Sequence, residues 1–269
     1  MCLIAFNWQP DEPRKLTLVA NRDEFYRRDA SPMMEWPEHP GLYAGKDLQQ
    51  GGTWLGISQQ PRFAALTNIR APGKGPDDPK SRGQLVLDFL TSGHSAEQYM
   101  KQLRHSAEEY GLFNLLCFDG QQLWYSHNHP DAVVASDTGD ERTIGIDQPG
   151  YQAMALTPGI YGLSNALLDT PWPKTQLAKQ QLQQWLQQSD ALPGALLEHR
   201  NAFPDEQLPA TGVPLLWERL LSSQFIHTPE YGTRCSTSIS IDEQLAEIYE
   251  LSWGDDGQPQ GEFRHQFRI

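Results

Sequence analysis

The tightest constraint lies at the amino end, where the run MCLIAFNW is apolar almost throughout and stops at a DEPR turn. A run this short, bounded by a turn, is the length of a buried strand. LTLVANRDEF follows as a second strand, so residues 2–25 are expected to form a hairpin that begins with the chain itself. The first side chains, Cys2 among them, are therefore expected inside the fold.

Further along, residues 31–41 are broken by Pro32, Pro37 and Pro40 and are expected to be loop. GGTWLGIS and RFAALTNIR read as strands joined by a turn at Gln59-Gln60-Pro61, and residues 71–80 as loop. Gly83–Thr91 carries Leu85, Val86 and Phe89 at helical spacing, and Ser95 with Gln98 makes a capping box ahead of AEQYMKQLRH. FNLLCFD and QQLWYSH pair about Asp119-Gly120, a strong hairpin signal. KTQLAKQQLQQWLQQ sets Leu177, Leu182, Trp185 and Leu186 on one side of a helix, and VPLLWERLLSSQF reads as another helical region. RCSTSISID, LAEIYELSW and EFRHQFRI close the chain as strands. Strands and helices in separate runs predict an α+β layered fold rather than a doubly wound parallel sheet. No break in composition divides residues 1–269, which are expected to form a single domain.

Charge excludes some partners. The 34 acidic and 21 basic side chains leave a net charge of −13, which opposes phosphate backbones and anionic membrane surfaces, so no nucleic-acid partner is expected. No stretch has the length of an apolar membrane span, and no secretory leader is visible. Cys2, Cys117 and Cys235 form no CxxC pair, which suits a reduced, cytoplasmic protein. Cys117, in an apolar strand, reads as inert core; Cys235 sits beside Arg234, a cation that could lower its pKa. His127-Asn128-His129 has no further obvious ligand, and no metal is expected.

Position 2 carries the chemistry. Removal of Met1 would leave a thiol and a free α-amine on one residue. The amine titrates at about 7.7–8.0 and the thiol at about 8.5, so the amine can take the thiol proton directly or through one water. Nucleophile and base then coincide in Cys2. The plain alternative is that Cys2 only fills space in a strand.

Asn21-Arg22-Asp23-Glu24 closes the second strand. Together with the Met-Cys start, Gly51-Gly52-Thr53-Trp54-Leu55-Gly56, Leu66-Thr67-Asn68, Tyr161-Gly162-Leu163-Ser164-Asn165 with Trp172-Pro173-Lys174, and Tyr231-Gly232-Thr233-Arg234-Cys235-Ser236, it resembles the NRDE family, also called the transport and Golgi organisation protein 2 family. That family is similar to the N-terminal-nucleophile (Ntn) hydrolases of the bile-salt hydrolase and penicillin V acylase group. The resemblance implies a four-layer αββα sandwich and a catalytic set of Cys2 as nucleophile, Asp23 holding its α-amine, Asn165 donating to the oxyanion, Arg234 as the late arginine and Arg22 near the thiol. Asn21, Glu24, Trp54 and Asn68 are implied as substrate-binding residues. In the acylases an Arg precedes the Asp by three residues, which falls here on Ala20; Arg22 shares that face in an extended strand, with Asp23 turned away unless a bulge intervenes.

Two functions follow as expectations. One is a cysteine hydrolase or acyltransferase acting on an N-acyl amide, ester or thioester, with no cofactor required. The other, implied by the resemblance, is a carrier binding haem or an acyl-CoA-like lipid in the same cleft. Arg27 and Arg28 read as a solvated pair, or with Arg22 and Arg70 as a small anion-binding patch. The two glycines before Trp54 are expected to admit a ligand or a bulge.

Overall fold

A computed structural model describes residues 2–131 and 145–269. In chain order the elements are β1 (Cys2–Trp8), β2 (Arg14–Phe25), β3 (Ala30–Glu35), β4 (Leu42–Asp47), β5 (Leu55–Ser58), β6 (Arg62–Asn68), α1 (Gly83–Thr91) and α2 (Ala96–Leu103). They continue with β7 (Phe113–Phe118), β8 (Leu123–His127), β9 (Gly145–Gln148), β10 (Tyr151–Ala155), β11 (Gly159–Leu163), α3 (Pro173–Gln188), α4 (Leu215–Leu220), β12 (Tyr231–Asp242), β13 (Leu245–Trp253) and β14 (Pro259–Arg268). The chain is rich in sheet and has few helices. One antiparallel sheet runs β11-β1-β2-β12-β13-β14 and the other β3-β4-β5-β6-β7-β8-β10-β9.

The expected N-terminal hairpin is present, with Cys2 opposite Arg22 and Trp8 opposite Leu16. Period-two alternation then sorts β1 and β2 into two faces. Ile4, Phe6, Trp8, Leu16 and Leu18 join a core that also takes Tyr43, Ile57, Phe63, Leu116 and Phe118 from the other sheet. The intervening Leu3, Ala5 and Val19 pack instead with Ala178 and Leu182 of α3. On the second sheet, Ala64, Leu115 and Cys117 pack with Leu85, Val86 and Phe89 of α1 and Met100 of α2. The Ser95 capping box holds, with Ser95 accepting from the Gln98 backbone and the Gln98 side chain accepting from Ser95.

One expectation fails at residues 31–41. Ala30–Glu35 is a strand, although Pro32 lies in it. β3 is an edge strand, and its register against β4 shifts between Ser31 and Met34. A missing N–H is tolerated at such a bulged edge. Two more elements depart from the pattern of apolar stripes. On α3 the buried side includes Lys174 and Thr175 beside Ala178 and Leu182. On α4 the buried residue is Glu218, while Leu215, Leu216 and Trp217 face solvent, Leu216 at 63% exposure.

Candidate functional site

At the end of the apolar intersheet layer, the alternation that buried Ile4, Leu18 and Ala20 brings Cys2 and Arg22 together. They line a solvent-open cleft of about 690 Å³ that also takes in Asp23, Glu24, Trp54 and Asn68. Cys2 is 9% exposed. Burial pushes its thiol above the usual range, the Asp23 charge adds to that rise, and the Arg22 charge and the Asp23 backbone N–H pull it back.

Arg22 is 6% exposed, and its guanidinium carbon stands 4.1 Å from the centre of the Trp54 ring. Among the described residues none accepts a hydrogen bond from this guanidinium. The indole of Trp54 fits here because of a glycine in the adjacent strand β4: a Cβ on Gly45 would stand 2.3 Å from the ring. The glycines before Trp54 serve differently from what the sequence suggested. Gly52 passes so close to the start of α1 that a Cβ there would meet the Gly83 carbonyl carbon at 2.4 Å. That close approach is to backbone, not to an open ligand space.

Behind β2 the chemistry changes. Asp23 is 1% exposed and its Oδ1 accepts a hydrogen bond of 2.7 Å from Thr233. Burial raises its pKa, and the Lys174 charge works against the rise. Lys174, itself buried, donates to the Leu221 carbonyl at 2.9 Å, and burial brings its pKa down to about 8. Arg70 and Glu218 form a buried ion pair at 2.7 Å, and Glu218 also accepts from the backbone and hydroxyl of Thr211. That pair explains α4: its carboxylate, not its leucines, anchors the helix.

The residues singled out by sequence thus divide. Cys2, Arg22, Asp23, Glu24, Trp54 and Asn68 meet at the cleft. Asn165 does not line it; its Nδ2 donates to the Asn68 backbone carbonyl at 2.8 Å and so braces that residue from behind. Asn21 is turned away and saturated, donating to the Leu197 and Gln224 carbonyls and accepting from Ser236. Arg234 is the extra residue where the β2–β12 register shifts between Thr233 and Cys235, and it lines a neighbouring cavity instead. Cys235 lies there too, and burial pushes its thiol well above the ordinary range, against the expectation of a lowered value. Cys117 is buried and likewise raised by burial. The four-arginine patch does not assemble: Arg28 donates through Nε and Nη2 to Oδ2 of Asp47, Arg70 is paired with Glu218, and Arg27 is exposed. Glu218 and Arg82, the latter also at the cleft, had not been picked out, and Lys174 had been named only within the Trp172-Pro173-Lys174 match, with no role. A lysine on the inner side of an amphipathic helix was the available signal for Lys174. His127 is buried, which lowers its pKa to about 4, and among the described residues no group of His, Cys, Asp or Glu has the arrangement of a metal site. No helix among the described residues is long and apolar enough to cross a membrane.

Residues 1–253 match the family model described as Transport and Golgi organisation 2. The chain is 33% identical over 260 residues to the Transport and Golgi organization 2 homolog of Mus musculus, covering 90% of this chain and 89% of that protein. The corresponding Homo sapiens homolog is 34% identical over 267 residues with the same coverage. Transport and Golgi organization protein 2 of Drosophila melanogaster is 30% identical over 268 residues, covering 91% and 89%. Among solved structures, the mutant C2A conjugated bile acid hydrolase from Clostridium perfringens aligns at 8% identity and a TM-score of 0.44, covering 100% of this chain and 92% of that one.

Proposed function

The chain belongs to the Transport and Golgi organisation 2 family, and on the geometry of its cleft we propose that it is an Ntn-type cysteine hydrolase acting on a small N-acyl amide, ester or thioester. The observation that carries this reading is the pairing of Cys2 with Arg22 on one face of the hairpin, at the mouth of the cleft. The fold that goes with it is a single domain with helices outside two facing sheets, the αββα arrangement of such enzymes. The three core clusters support it, since one joins both sheets and each of the others joins one sheet to helices.

Once Met1 is removed, the α-amine of Cys2 takes the thiol proton, and the sulfur attacks the acyl carbonyl carbon. The carbonyl π electrons move to oxygen, to which the amide of Asn68, a residue of the cleft lining, would donate, with Asn165 bracing the Asn68 backbone. Collapse expels the amine, alcohol or thiol with the proton held by the α-amine, leaving an acyl thioester on Cys2. Water then attacks that thioester, giving up its proton to the amine, and the thiol is restored. Asp23, held by Thr233, balances the charge of the ammonium form. Arg22 opposes the burial that disfavours the thiolate.

A binding protein using the same cleft is the second reading, favoured by one observation: the Asn165 amide is already engaged with protein backbone rather than turned to the cleft. Haem does not fit that reading well. The cleft lining is mostly charged or polar, its larger apolar side chains are Trp54 and Leu66, and among the described residues no histidine lines it.

Intact mass and iodoacetamide labelling with peptide mapping test the first reading. The expected result is loss of one methionine, labelling of Cys2 ahead of Cys117 and Cys235, and turnover of an octanoyl thioester that disappears in Cys2→Ala. Retention of Met1 in most molecules, or Cys235 reacting first, would remove the mechanism.

A further inference from the structure

The Arg22–Trp54 pair has two sides. One faces the Cys2 cleft, and the other forms a wall of a second cavity with about 700 Å³ of empty space open to solvent. Arg234, Glu250, Trp253 and Gly261 are among the residues around that second space. Arg234 donates through Nη1 to the Phe25 and Tyr26 carbonyls at 3.3 and 3.1 Å, which fixes the plane of its guanidinium. Its Nε is buried and, among the described residues, has no hydrogen-bond partner. Across the space, Arg22 is more than nine-tenths buried, and none of the described residues accepts from it. The N–H donors of Arg22 therefore open on the two spaces, where a planar acceptor that enters can take them.

The negative group at this cavity is accounted for. Glu250 accepts at one oxygen from the Met33 backbone N–H at 2.6 Å and at the other from Thr237 at 3.0 Å. Two arginines against one carboxylate leave a single positive charge in excess, inside a protein whose net charge is −13. We propose that this second cavity is a subsite for the carboxylate of a monoanionic organic ligand, held between Arg22 and Arg234. A planar carboxylate matches the fork of a guanidinium, and one negative charge balances the excess. Pro32 and Trp253 give the apolar body of such a ligand a surface to lie on. The inference deepens the Cys2 reading, on which it rests for turnover: the ligand would be an acid whose carboxylate meets Arg22, the side chain the two spaces share. Binding itself requires no thiol chemistry.

The test compares N-octanoylglycine with N-octanoylglycinamide, of nearly the same size but uncharged, by calorimetric titration of the full chain carrying Cys2→Ala. The acid should bind at least tenfold more tightly than the amide. Arg234→Gln should abolish that preference, with thermal melting recorded alongside. Should Arg234→Gln fail to fold, Gly261→Phe decides: a Cβ at Gly261 meets open space, so the larger side chain would fill the cavity while leaving both charges in place. Equal affinity for acid and amide, no binding of either at millimolar concentration, or a preference that survives the variants overturns the proposal. The two readings fail separately. An acid preference lost in Arg234→Gln, in a protein whose Cys2 neither labels nor turns over thioester, keeps the cavity and removes the nucleophile. Rapid Cys2 chemistry with no acid preference does the reverse.

Discussion

The two sides of β2 carry charge in opposite ways. Behind the strand, Asp23 meets Thr233 and the field of Lys174, and Arg70 is locked to Glu218, so the cations and anions occur in pairs away from solvent. In front, Arg22 stands over the Trp54 ring between two open spaces, with its donors unused by any described residue. The side chains at positions 22 and 23 differ by one residue in sequence and by one face of a sheet in space. A buried charge that is matched holds the scaffold; one that is left open is a site for something that arrives from outside. The distinction has measurable consequences on each side.

The largest effect should come from the matched side. Glu218→Ala would leave Arg70 buried with no counter-charge and remove the acceptor of Thr211. Breaking a buried ion pair from one end costs about 3–5 kcal/mol. Urea unfolding should show that loss, together with release of α4, whose leucines do not hold it. A loss under about 1 kcal/mol would mean that the pair behaves as an exposed one, and the contrast between the two sides would fail.

Next is Lys174. Its pKa is about 8 in the folded protein, with burial as the first cause, against an ordinary value near 10.5. Between those values the unfolded chain binds the proton and the folded chain releases it, so stability rises with pH across that window. Below about pH 8 both states hold the proton, and the full cost of burying the charge is present. Lys174→Met should remove this contribution. The stability difference between wild type and variant should therefore change, in favour of wild type, by roughly 3 kcal/mol from pH 8 to 10.5. Denaturant titrations at several pH values read this directly, and the difference cancels the tyrosines that ionise in the same range. Parallel curves for the two proteins would show that Lys174 is not buried as a cation.

How much of this could be read from the chain depended on which physical rule each segment obeyed. The hairpin of residues 2–25 was legible because apolar alternation and burial agree along it, and the same alternation placed Cys2 beside Arg22, while Asp23, bonded to Thr233, still borders the cleft. The capping box at Ser95 was legible because its hydrogen bonds are local. Pro32 misled because proline argues against a central strand, whereas β3 is a bulged edge whose position no local pattern reveals. α4 misled for a deeper reason. Its leucines look like core, but long-range pairing of Glu218 with Arg70 decides which side turns inward, and residues 70 and 218 have no local signal that joins them. The site divides along the same line. Cleft residues on the hairpin could be foreseen, while the engagement of Asn21 by Leu197 and Gln224 and of Asn165 by Asn68 depends on distant backbone.

The smallest stability effect is expected where the unmatched charge lies. Arg22 loses hydration on folding and gains, among described residues, a stack on Trp54 but no hydrogen bond. A cation–π contact of this kind is worth about 1–2 kcal/mol when partly desolvated, and the burial of the cation offsets much of it. Arg22→Gln should therefore shift the unfolding free energy by less than about 1 kcal/mol. The same substitution removes the positive charge that opposes the rise of the Cys2 thiol. Iodoacetamide labelling of Cys2 at pH 7.5 should slow by about tenfold, the equivalent of ~1.4 kcal/mol in thiolate population. Arg22→Lys should restore much of the labelling rate, because charge suffices there, but not the stacking of a planar guanidinium on the indole. The opposite pattern, several kcal/mol of lost stability with labelling unchanged, would place Arg22 with Asp23 and Glu218 as part of the scaffold, and the difference between the two sides of β2 would disappear.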